Sequence, residues 1–203
     1  MKDVLQMQGL IDYHAHVIPG IDDGAADEDM AVAMLKESRR QGVHTVVATP
    51  HFYADRHSPD EWLARRDRHF IMLQEAMKTA ELDMRVLRGA EVAYFPGISQ
   101  AEDAARFAIE EMGMLMVEMP YARWTESEVR ELIDFSHALA SSADTGMQIR
   151  VLLAHVDRYV DFQEHSVFHD HNVFDELHRH DIQMQINTAA FMNRYVRHAE
   201  LEM

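Results

Sequence analysis

The stretch "GLIDYHAHVIPGIDDGAADEDMAVAMLKESRRQG", residues 9–42, begins with the first of six short apolar runs in this chain. A run that is apolar on both faces is typical of a buried parallel strand. The run ends in two histidines, His14 and His16, and a short turn then leads to a pair of aspartates. A helical pattern follows, with acidic residues in its first turn, basic residues toward its end and Gly42 as its stop signal. The stretch therefore predicts a strand, a loop rich in metal-ligating side chains and a helix.

This layout of strand and helix recurs along the chain. The apolar runs cover residues 9–15, 43–51, 84–92, 113–119, 149–155 and 182–187. The helical patterns lie at residues 27–42, 60–82, 100–111, 125–141 and 168–180. Such alternation predicts an α/β barrel or a doubly wound sheet. No linker or low-complexity segment interrupts it, so we expect residues 1–203 to form a single domain.

The composition excludes several classes of function. The chain has 203 residues and a net charge of -16, and a surface this acidic repels phosphate backbones, which argues against a nucleic-acid partner. No apolar segment approaches the roughly 18 residues that span a bilayer, and the first residues lack the apolar stretch of a secretion signal. We therefore expect no membrane insertion and a cytoplasmic location. The absence of cysteine excludes thiolate ligands and a cysteine nucleophile.

Side chains that can bind metal close the apolar runs. These residues are His14, His16, His51, Glu91, Glu118, His155 and Asn187. The carboxyl ends of parallel strands share one face, where active sites are built, so residues far apart in sequence should meet there. A carboxylate inside an apolar strand is costly unless it is paired or bound to a metal. The sequence therefore predicts one shared metal site, whose imidazole and carboxylate ligands suit Mn²⁺, Fe²⁺ or Zn²⁺.

The spacing of two histidines one residue apart is a weak signal when taken alone. The pairs His169/His171 and His178/His180 have the same spacing, yet no apolar strand precedes them. We interpret that later cluster, together with His165, as a solvated helix and loop, with a zinc- or nickel-binding surface as the minor alternative. The prediction of a metal site depends instead on the coincidence of ligand-type residues across five strands.

Six segments carry a resemblance to a known family. They are "IDYHAHVIPGIDDGA", "GVHTVVATPHF", "RGAEVAY", "LMVEMP", "LLAHVDRY" and "QINTAAF". In this order they resemble the PHP (polymerase and histidinol phosphatase) superfamily. More narrowly, they resemble the bacterial metal-dependent protein-tyrosine phosphatases found with capsule and exopolysaccharide genes. The resemblance covers nearly the whole chain, from about Gly9 to about Phe191. It implies an α/β fold, a distorted (β/α)7 PHP-type barrel that holds a cluster of up to three metal ions.

The resemblance also implies roles for individual residues. The residues that match metal ligands are His14, His16, His51, Glu91, Glu118 and His155. Asp23 matches an acidic residue at the metal site, with the adjacent Asp22 as the alternative. Arg158 matches an arginine that binds phosphate, so Arg158 and Asp23 are the expected catalytic residues. The expected cofactors are divalent metal ions, first Mn²⁺, with Fe²⁺, Zn²⁺ or Co²⁺ as alternatives.

The implied activity is hydrolysis of phosphotyrosine in proteins, with a bacterial tyrosine autokinase that controls polysaccharide export as the partner. Two alternatives stay open. One is a small-molecule phosphoesterase of the histidinol-phosphatase type, and the other is a catalytically impaired relative that acts as a binding protein. The aromatic residues that follow the ligand positions could line a pocket for an aromatic substrate or simply pack beneath the loops. They are Phe52, Tyr53, Tyr94, Phe95 and Tyr121.

Two departures from the family pattern qualify this interpretation. Asp157 stands where the family usually has a glutamate, and the Asp-x-His that closes the family's site on a seventh strand has no good counterpart. The triplets 55–57 and 67–69 have that pattern but follow no apolar strand. We therefore expect the last strand of the barrel to be missing, either because this is part of a longer gene product or because the metal site is reduced. The unpaired edge that results could pair with another copy and form a homo-oligomer.

Overall fold

A computed structural model describes residues 9–141, 148–159 and 172–187 of the chain. The strands are β1 (Leu10–Ala15), β2 (Val43–Ala48), β3 (His51–Phe52), β4 (Arg85–Arg88), β5 (Glu91–Ala93), β6 (Met114–Glu118), β7 (Arg150–Leu153) and β8 (Gln183–Met184). The helices are α1 (Glu28–Arg40), α2 (Pro59–Thr79), α3 (Glu126–Ser141) and α4 (Val173–Arg179). Short 3₁₀ turns cover Ile98–Gln100, Ala104–Phe107 and Val156–Arg158. The predicted alternation of strands and helices is confirmed as an α/β fold.

Every strand pair is parallel, and the strands form two sheets with the orders β1-β2-β4 and β3-β5-β6-β7-β8. β2 leads directly into β3, and β4 leads directly into β5. Where the chain passes from one sheet to the other, the backbone N–H of Gly89 donates to the carbonyl of Ala48 (2.9 Å), and that of Glu91 donates to the carbonyl of Pro50 (3.0 Å). Pro50 has no N–H of its own, which explains why the regular ladder breaks here.

The spatial order of the strands follows their order in the chain. A doubly wound sheet reverses its strand order at the middle, whereas a barrel does not. Neither sheet closes on itself within the described residues. The α/β fold with parallel sheets is therefore established, and the seven-stranded barrel with a missing last strand stays a prediction.

The helices pack one apolar stripe each against the sheets. Leu35 of α1, Leu73 of α2, Leu132 of α3 and Leu177 of α4 are all fully buried. Burial of one such side chain contributes about 2 kcal/mol, so these contacts hold the helices to the strands that they connect. No helix in the described ranges is both long enough and apolar enough to cross a bilayer.

The helix predicted at residues 100–111 is wrong. One 3₁₀ turn covers Ala104–Phe107, another ends at Gln100, and the chain is extended at Ala108. Phe107 and Ile109 are both buried, and Ile109 pairs with Met114 in an isolated antiparallel bridge. Residues two apart point to different sides of a helix but to the same side of an extended chain. The core therefore accepts both side chains only if the helix is broken between them.

The last predicted helix, at residues 168–180, is only partly described. Its described part forms α4, which begins after Asn172, whose side chain accepts a hydrogen bond from the N–H of Phe174 (2.9 Å). An asparagine in this position is a favoured helix cap. His165, His169 and His171 lie outside the described residues.

Candidate metal centre

The predicted ligand positions lie together at the carboxyl ends of the strands. His14 is in β1, and His51 and Glu91 begin β3 and β5. Glu118 ends β6, and His155 follows β7 after one residue. With His16, Asp23, Arg158 and Asn187, they line one cleft of about 720 Å³. The parallel arrangement thus brings together side chains that are more than a hundred residues apart in the chain.

Glu91 is fully buried at the centre of this cleft. Its two carboxylate oxygens lie close to four imidazoles, at 3.1 Å from His14, 3.3 Å from His16, 3.1 Å from His51 and 3.0 Å from His155. Burial alone would raise the pKa of the carboxyl group. The histidine contacts more than offset burial and hold the pKa of Glu91 well below its usual range. Glu91 is therefore an anion that needs positive charge around it.

Three overlapping groups of side chains have ligand atoms within 4.8 Å of one another. They are His14/Glu91/His155, His16/Asp23/His51 and His51/Glu91/Glu118. Within the described residues, Glu91 Oε2 and His51 Nδ1 are buried and lie 3.1 Å apart, yet neither makes a hydrogen bond. Separations near 3 Å are those of two ligands that share one ion at bonds of about 2.0–2.2 Å. The donor set therefore fits a cluster of divalent metal ions.

Asp22 and Asp23 have different positions relative to this cluster. Asp22 Oδ2 lies 2.7 Å from Nδ1 of His16 and accepts the backbone N–H of His51 at 3.0 Å. Asp23 extends into the cleft, with Oδ1 3.6 Å from Nε2 of His51. Asp22 thus orients the imidazole of His16, as carboxylates commonly do for metal-bound histidines, and it also holds the backbone of His51. Asp23 is the member of the pair that can reach an ion.

His16 carries the clearest electrostatic signature of these contacts. Burial lowers its pKa, but the hydrogen bond to Asp22, the close contact with Glu91 (3.3 Å) and the negative charges of both carboxylates more than reverse this effect. The pKa of His16 is raised to about 10. In the absence of a metal ion, this ring is therefore protonated at neutral pH and carries part of the positive charge that Glu91 requires.

The turn that carries the two aspartates depends on Gly24. A Cβ atom at this position would lie 2.1 Å from the carbonyl oxygen of His16 and 2.3 Å from its Cβ. The backbone N–H of Gly24 also donates to Asp22 Oδ1 (3.0 Å). Only glycine lets the loop approach His16 so closely, which explains the Asp-Asp-Gly sequence.

Arg158 reaches the cleft from the 3₁₀ turn after β7. Its Nη1 donates to the hydroxyl of Tyr121 (2.9 Å), and that hydroxyl donates to Glu118 Oε1 (3.0 Å). The Tyr121 ring also stacks on His155, with centroids 5.9 Å apart and planes inclined by 12°. Sequence reasoning placed Tyr121 only as a pocket wall. It did not detect that this hydroxyl links the arginine to a carboxylate of the metal centre.

The loop that carries His155 is held by the end of β8. His155 has a left-handed backbone conformation (φ 31°), which is costly for a residue other than glycine. Its N–H donates to the side chain of Gln185 (2.6 Å), and the N–H of Val156 donates to the Gln185 carbonyl (2.9 Å). Asp157 accepts the N–H of Asn187 (2.9 Å). Sequence reasoning missed Gln185 because nothing in "IQMQIN" distinguishes its side chain.

Comparison with known proteins shows the family to which this chain belongs. A family model described as capsular polysaccharide synthesis, CpsB/CapC, matches residues 10–200, which is nearly the whole chain. The chain belongs to the CpsB/CapC family.

Curated relatives include phosphatases. The tyrosine-protein phosphatase CpsB of Streptococcus pneumoniae is 35% identical over 86 residues, which are 42% of this chain and 34% of that protein. The tyrosine-protein phosphatase YwqE of Bacillus subtilis (strain 168) is 26% identical over 115 residues, which are 55% of this chain and 44% of that protein. The aligned regions thus span less than half the length of these relatives.

The fold is similar to that of a solved structure from the pair YwqE of Bacillus subtilis and CpsB of Streptococcus pneumoniae, described as unique metal-dependent tyrosine phosphatases. The TM-score is 0.66 at 22% identity, and the match covers 87% of this chain and 66% of that one. This likeness supports the same fold for the two chains.

The two triplets with the Asp-x-His pattern, residues 55–57 and 67–69, do not line the cleft of the candidate metal centre. His69 lies on α2 and donates from Nδ1 to the carbonyl of Pro19 (2.7 Å), while Asp67 pairs with Arg88 (3.0 Å). Asp55 and His57 are in the turn after β3 and do not line the cleft. Within the described residues, no histidine or carboxylate beyond the seven already named lines it.

The aromatic residues after the ligand positions separate into two sets. Tyr53, Tyr94 and Tyr121 line the cleft. Phe52 and Phe95 instead line a separate apolar cavity of about 320 Å³. Neighbouring residues of a strand point to opposite faces, so Phe52 points away from the site that His51 enters. Of these five aromatic residues, the three tyrosines are the candidates for contact with a substrate.

Proposed function

We propose that this chain hydrolyses phosphotyrosine in proteins with divalent metal ions at the candidate metal centre. The observation that carries the proposal is the convergence of four imidazoles on the buried carboxylate of Glu91, with Arg158 at the rim of the same cleft. The family and the named activity of the relatives support the same reaction.

The proposed ligands are the seven metal-binding side chains of the cleft, namely His14, His16, Asp23, His51, Glu91, Glu118 and His155. Imidazole and carboxylate donors without sulfur suit Mn²⁺, Fe²⁺, Zn²⁺ or Co²⁺, and the resemblance to the metal-dependent phosphatases puts Mn²⁺ first among them. Such ions, when bound, activate water and neutralise charge on a phosphoryl group. We also infer that the two sheets are parts of one distorted (β/α)7 barrel, since the strands follow each other in chain order.

The chain's own residues would bind and orient the substrate. Arg158 would bind phosphoryl oxygens through its guanidinium group, which matches their geometry, and Tyr121 would hold that group in place. Tyr53 and Tyr94 would border the aromatic ring of the substrate. A phenolate leaving group, whose parent acid has a pKa of about 10, needs less help from a general acid than an alkoxide does.

The proposed substrate is a phosphotyrosine protein of capsule or exopolysaccharide synthesis, with a bacterial tyrosine autokinase as the partner. The family description names capsular polysaccharide synthesis, which supports this context. The cleft is open enough for a side chain on a protein surface, because Asp23 and Tyr121 at its rim are exposed.

The test is metal analysis of the purified chain combined with an assay on a phosphotyrosine peptide. We expect Mn²⁺-dependent release of phosphate, with a higher kcat/KM on the peptide than on an alkyl phosphate. The double variant His14→Ala/His16→Ala should lose this activity and keep its circular-dichroism spectrum. A preference for the alkyl phosphate would favour a small-molecule phosphoesterase, and tight metal loading without any hydrolysis would contradict the proposal.

A further inference from the structure

A second pair of imidazoles lies outside the cleft, between α3 and the end of α4. His137 is on an exposed face of α3, and His180 is the C-cap of α4. Nε2 of His137 lies 3.2 Å from Nδ1 of His180, and the ring planes are inclined by 56°. The two residues are 43 positions apart in the chain, so the fold, and not local sequence, brings their nitrogens together.

The surroundings of His180 determine which of its nitrogens carries the proton. Nε2 lies 3.4 Å from a carboxylate oxygen of Glu176, one turn earlier on α4. A carboxylate favours the proton on the nitrogen that it faces, which leaves the other nitrogen with a lone pair. In that tautomer Nδ1 of His180, which lies 3.2 Å from Nε2 of His137, has the lone pair that a metal ion needs. The arrangement of carboxylate, histidine and open nitrogen is the usual support of a metal-bound imidazole.

The same approach of two ring nitrogens occurs in the candidate metal centre. There, Nε2 of His14 and Nε2 of His16 lie 3.1 Å apart. Two imidazoles on one tetrahedral ion, with bonds of about 2.0–2.1 Å, have nitrogens separated by little more than 3 Å. The distance of 3.2 Å between His137 and His180 meets this condition without any movement of the helices.

We propose that His137 and His180 form a second metal site that is independent of the cleft and binds Zn²⁺ or a similar borderline cation, Ni²⁺ or Cu²⁺. Imidazole nitrogen suits these ions, whereas Mn²⁺ prefers sites richer in oxygen. Water completes the coordination of the ion. The net charge of -16 favours a cation at this position.

A metal ion at this site would link two elements that otherwise share few contacts. His180 is followed by β8, and Gln185 after β8 holds the backbone of His155 in the cleft. The ion would fix the end of α4 against α3, where the carbonyl of His180 already accepts the hydroxyl of Ser136 (3.4 Å). Zn²⁺ binding should therefore stabilise the chain even when the cleft cannot bind metal.

The experiment measures Zn²⁺ binding with a competing chromophoric chelator in the His14→Ala/His16→Ala background, which weakens the cleft. Adding His137→Ala and His180→Ala should remove one equivalent of bound Zn²⁺ and the rise in Tm that Zn²⁺ causes. His178→Ala is the matched control, because His178 is an exposed histidine of α4 close to the site. This control should keep the full stoichiometry. The pair His137→Gln and His180→Gln repeats the test with polar side chains that preserve folding.

Unchanged Zn²⁺ stoichiometry and Tm shift in folded His137 and His180 variants would overturn the proposal. In that case the two rings share an ordinary N–H···N hydrogen bond. A loss of Zn²⁺ that is equal in the His178→Ala control would also overturn it, because the exposed histidines would then bind the ion without a defined site.

Discussion

Individual residues of the cleft are organised around one buried negative charge. Glu91 is inaccessible to solvent, and moving a carboxylate to such a position costs several kcal/mol unless partners compensate. The imidazoles of His14, His51 and His155 provide these partners, and metal ions would do so more completely. The positions of these residues were predictable, because a charged or titratable side chain at the end of an apolar run is costly unless it binds a partner there.

The division of roles between Asp22 and Asp23 was not predictable from sequence. Both are carboxylates in the same turn. Which one faces the cleft depends on the backbone dihedral angles of the turn, and the local amino-acid sequence does not determine these angles. The pair His137/His180 was missed for a related reason. Each histidine is a common surface residue when taken alone, and their contact exists only because the fold brings the end of α4 next to α3.

Asp22→Asn tests the supporting role of that residue. The change keeps the size of the side chain but removes the charge that orients His16. We expect metal affinity in the cleft to fall by about 10- to 100-fold, as is typical for the loss of such support. Asp27→Asn is the control, because Asp27 caps α1 outside the cleft. Equal affinities of wild type and Asp22→Asn in a chelator competition assay would show that Asp22 has no such role.

Arg158→Ala should weaken inhibition by free phosphate by about 10- to 100-fold, since a hydrogen bond to a charged group contributes about 1.5–3 kcal/mol. Tyr121→Phe should produce a smaller loss in the same direction, because Arg158 keeps its charge but loses its support. Tyr94→Phe is the control, since its hydroxyl donates to Glu131 on α3. Inhibition constants that do not change in the Arg158 variant would exclude phosphate binding by this side chain.

Metal binding should release protons near neutral pH. Because the pKa of His16 is raised to about 10, the ring is protonated in the metal-free chain and must lose that proton to bind an ion. Affinity should increase by about tenfold per pH unit for each proton released, up to this pKa. Conversely, the raised pKa stabilises the metal-free fold below about 6.5, and this contribution is lost as the pH rises through about 10.

The measurement for this pH dependence is calorimetry at pH 8 in two buffers with different ionisation enthalpies. Proton release appears as a difference in the observed binding enthalpy. Identical enthalpies in the two buffers would mean that no proton leaves, and the proposed state of His16 would be wrong.

Among the helices, α1 and the segment 100–111 show where local sequence signals determine secondary structure and where they do not. α1 was predicted closely, because acidic residues, basic residues and Gly42 mark its ends and its apolar stripe is regular. The segment 100–111 has good helix-forming residues, yet burial of Phe107 and Ile109 requires an extended chain. Tertiary packing overrides local propensity in that segment, and sequence periodicity alone does not contain this information.

The N-caps of α1 and α2 give a matched test of local stabilisation. Asp27 accepts the N–H of Met30 (2.8 Å) at the start of α1, whereas Ser58 makes no side-chain cap bond at the start of α2. Asp27→Ala should lower the free energy of unfolding by about 1 kcal/mol. Ser58→Ala should change it by less than about 0.5 kcal/mol, as an exposed substitution without such a bond. Urea unfolding curves check both values, and equal losses would contradict the assigned caps.

The whole molecule is an α/β fold whose consecutive parallel strands bring one set of ligands to a single cleft. The order of strands could be predicted from the alternation of apolar runs and helices, and the convergence of ligands follows from it. Closure of the sheets could not be predicted from these runs, because it depends on pairing between the first strand and a strand far along the chain. The second metal site likewise depends on how whole elements pack.

Anomalous diffraction from crystals soaked in Mn²⁺ tests the central claim most directly. The claim is that side chains from different strands jointly bind divalent ions. We expect anomalous peaks among His14, Glu91 and His155 and among His16, Asp23 and His51, at bonding distance from their nitrogen and oxygen atoms. A fully soaked crystal with no peak in the cleft, at a concentration that labels exposed carboxylates, would contradict the account.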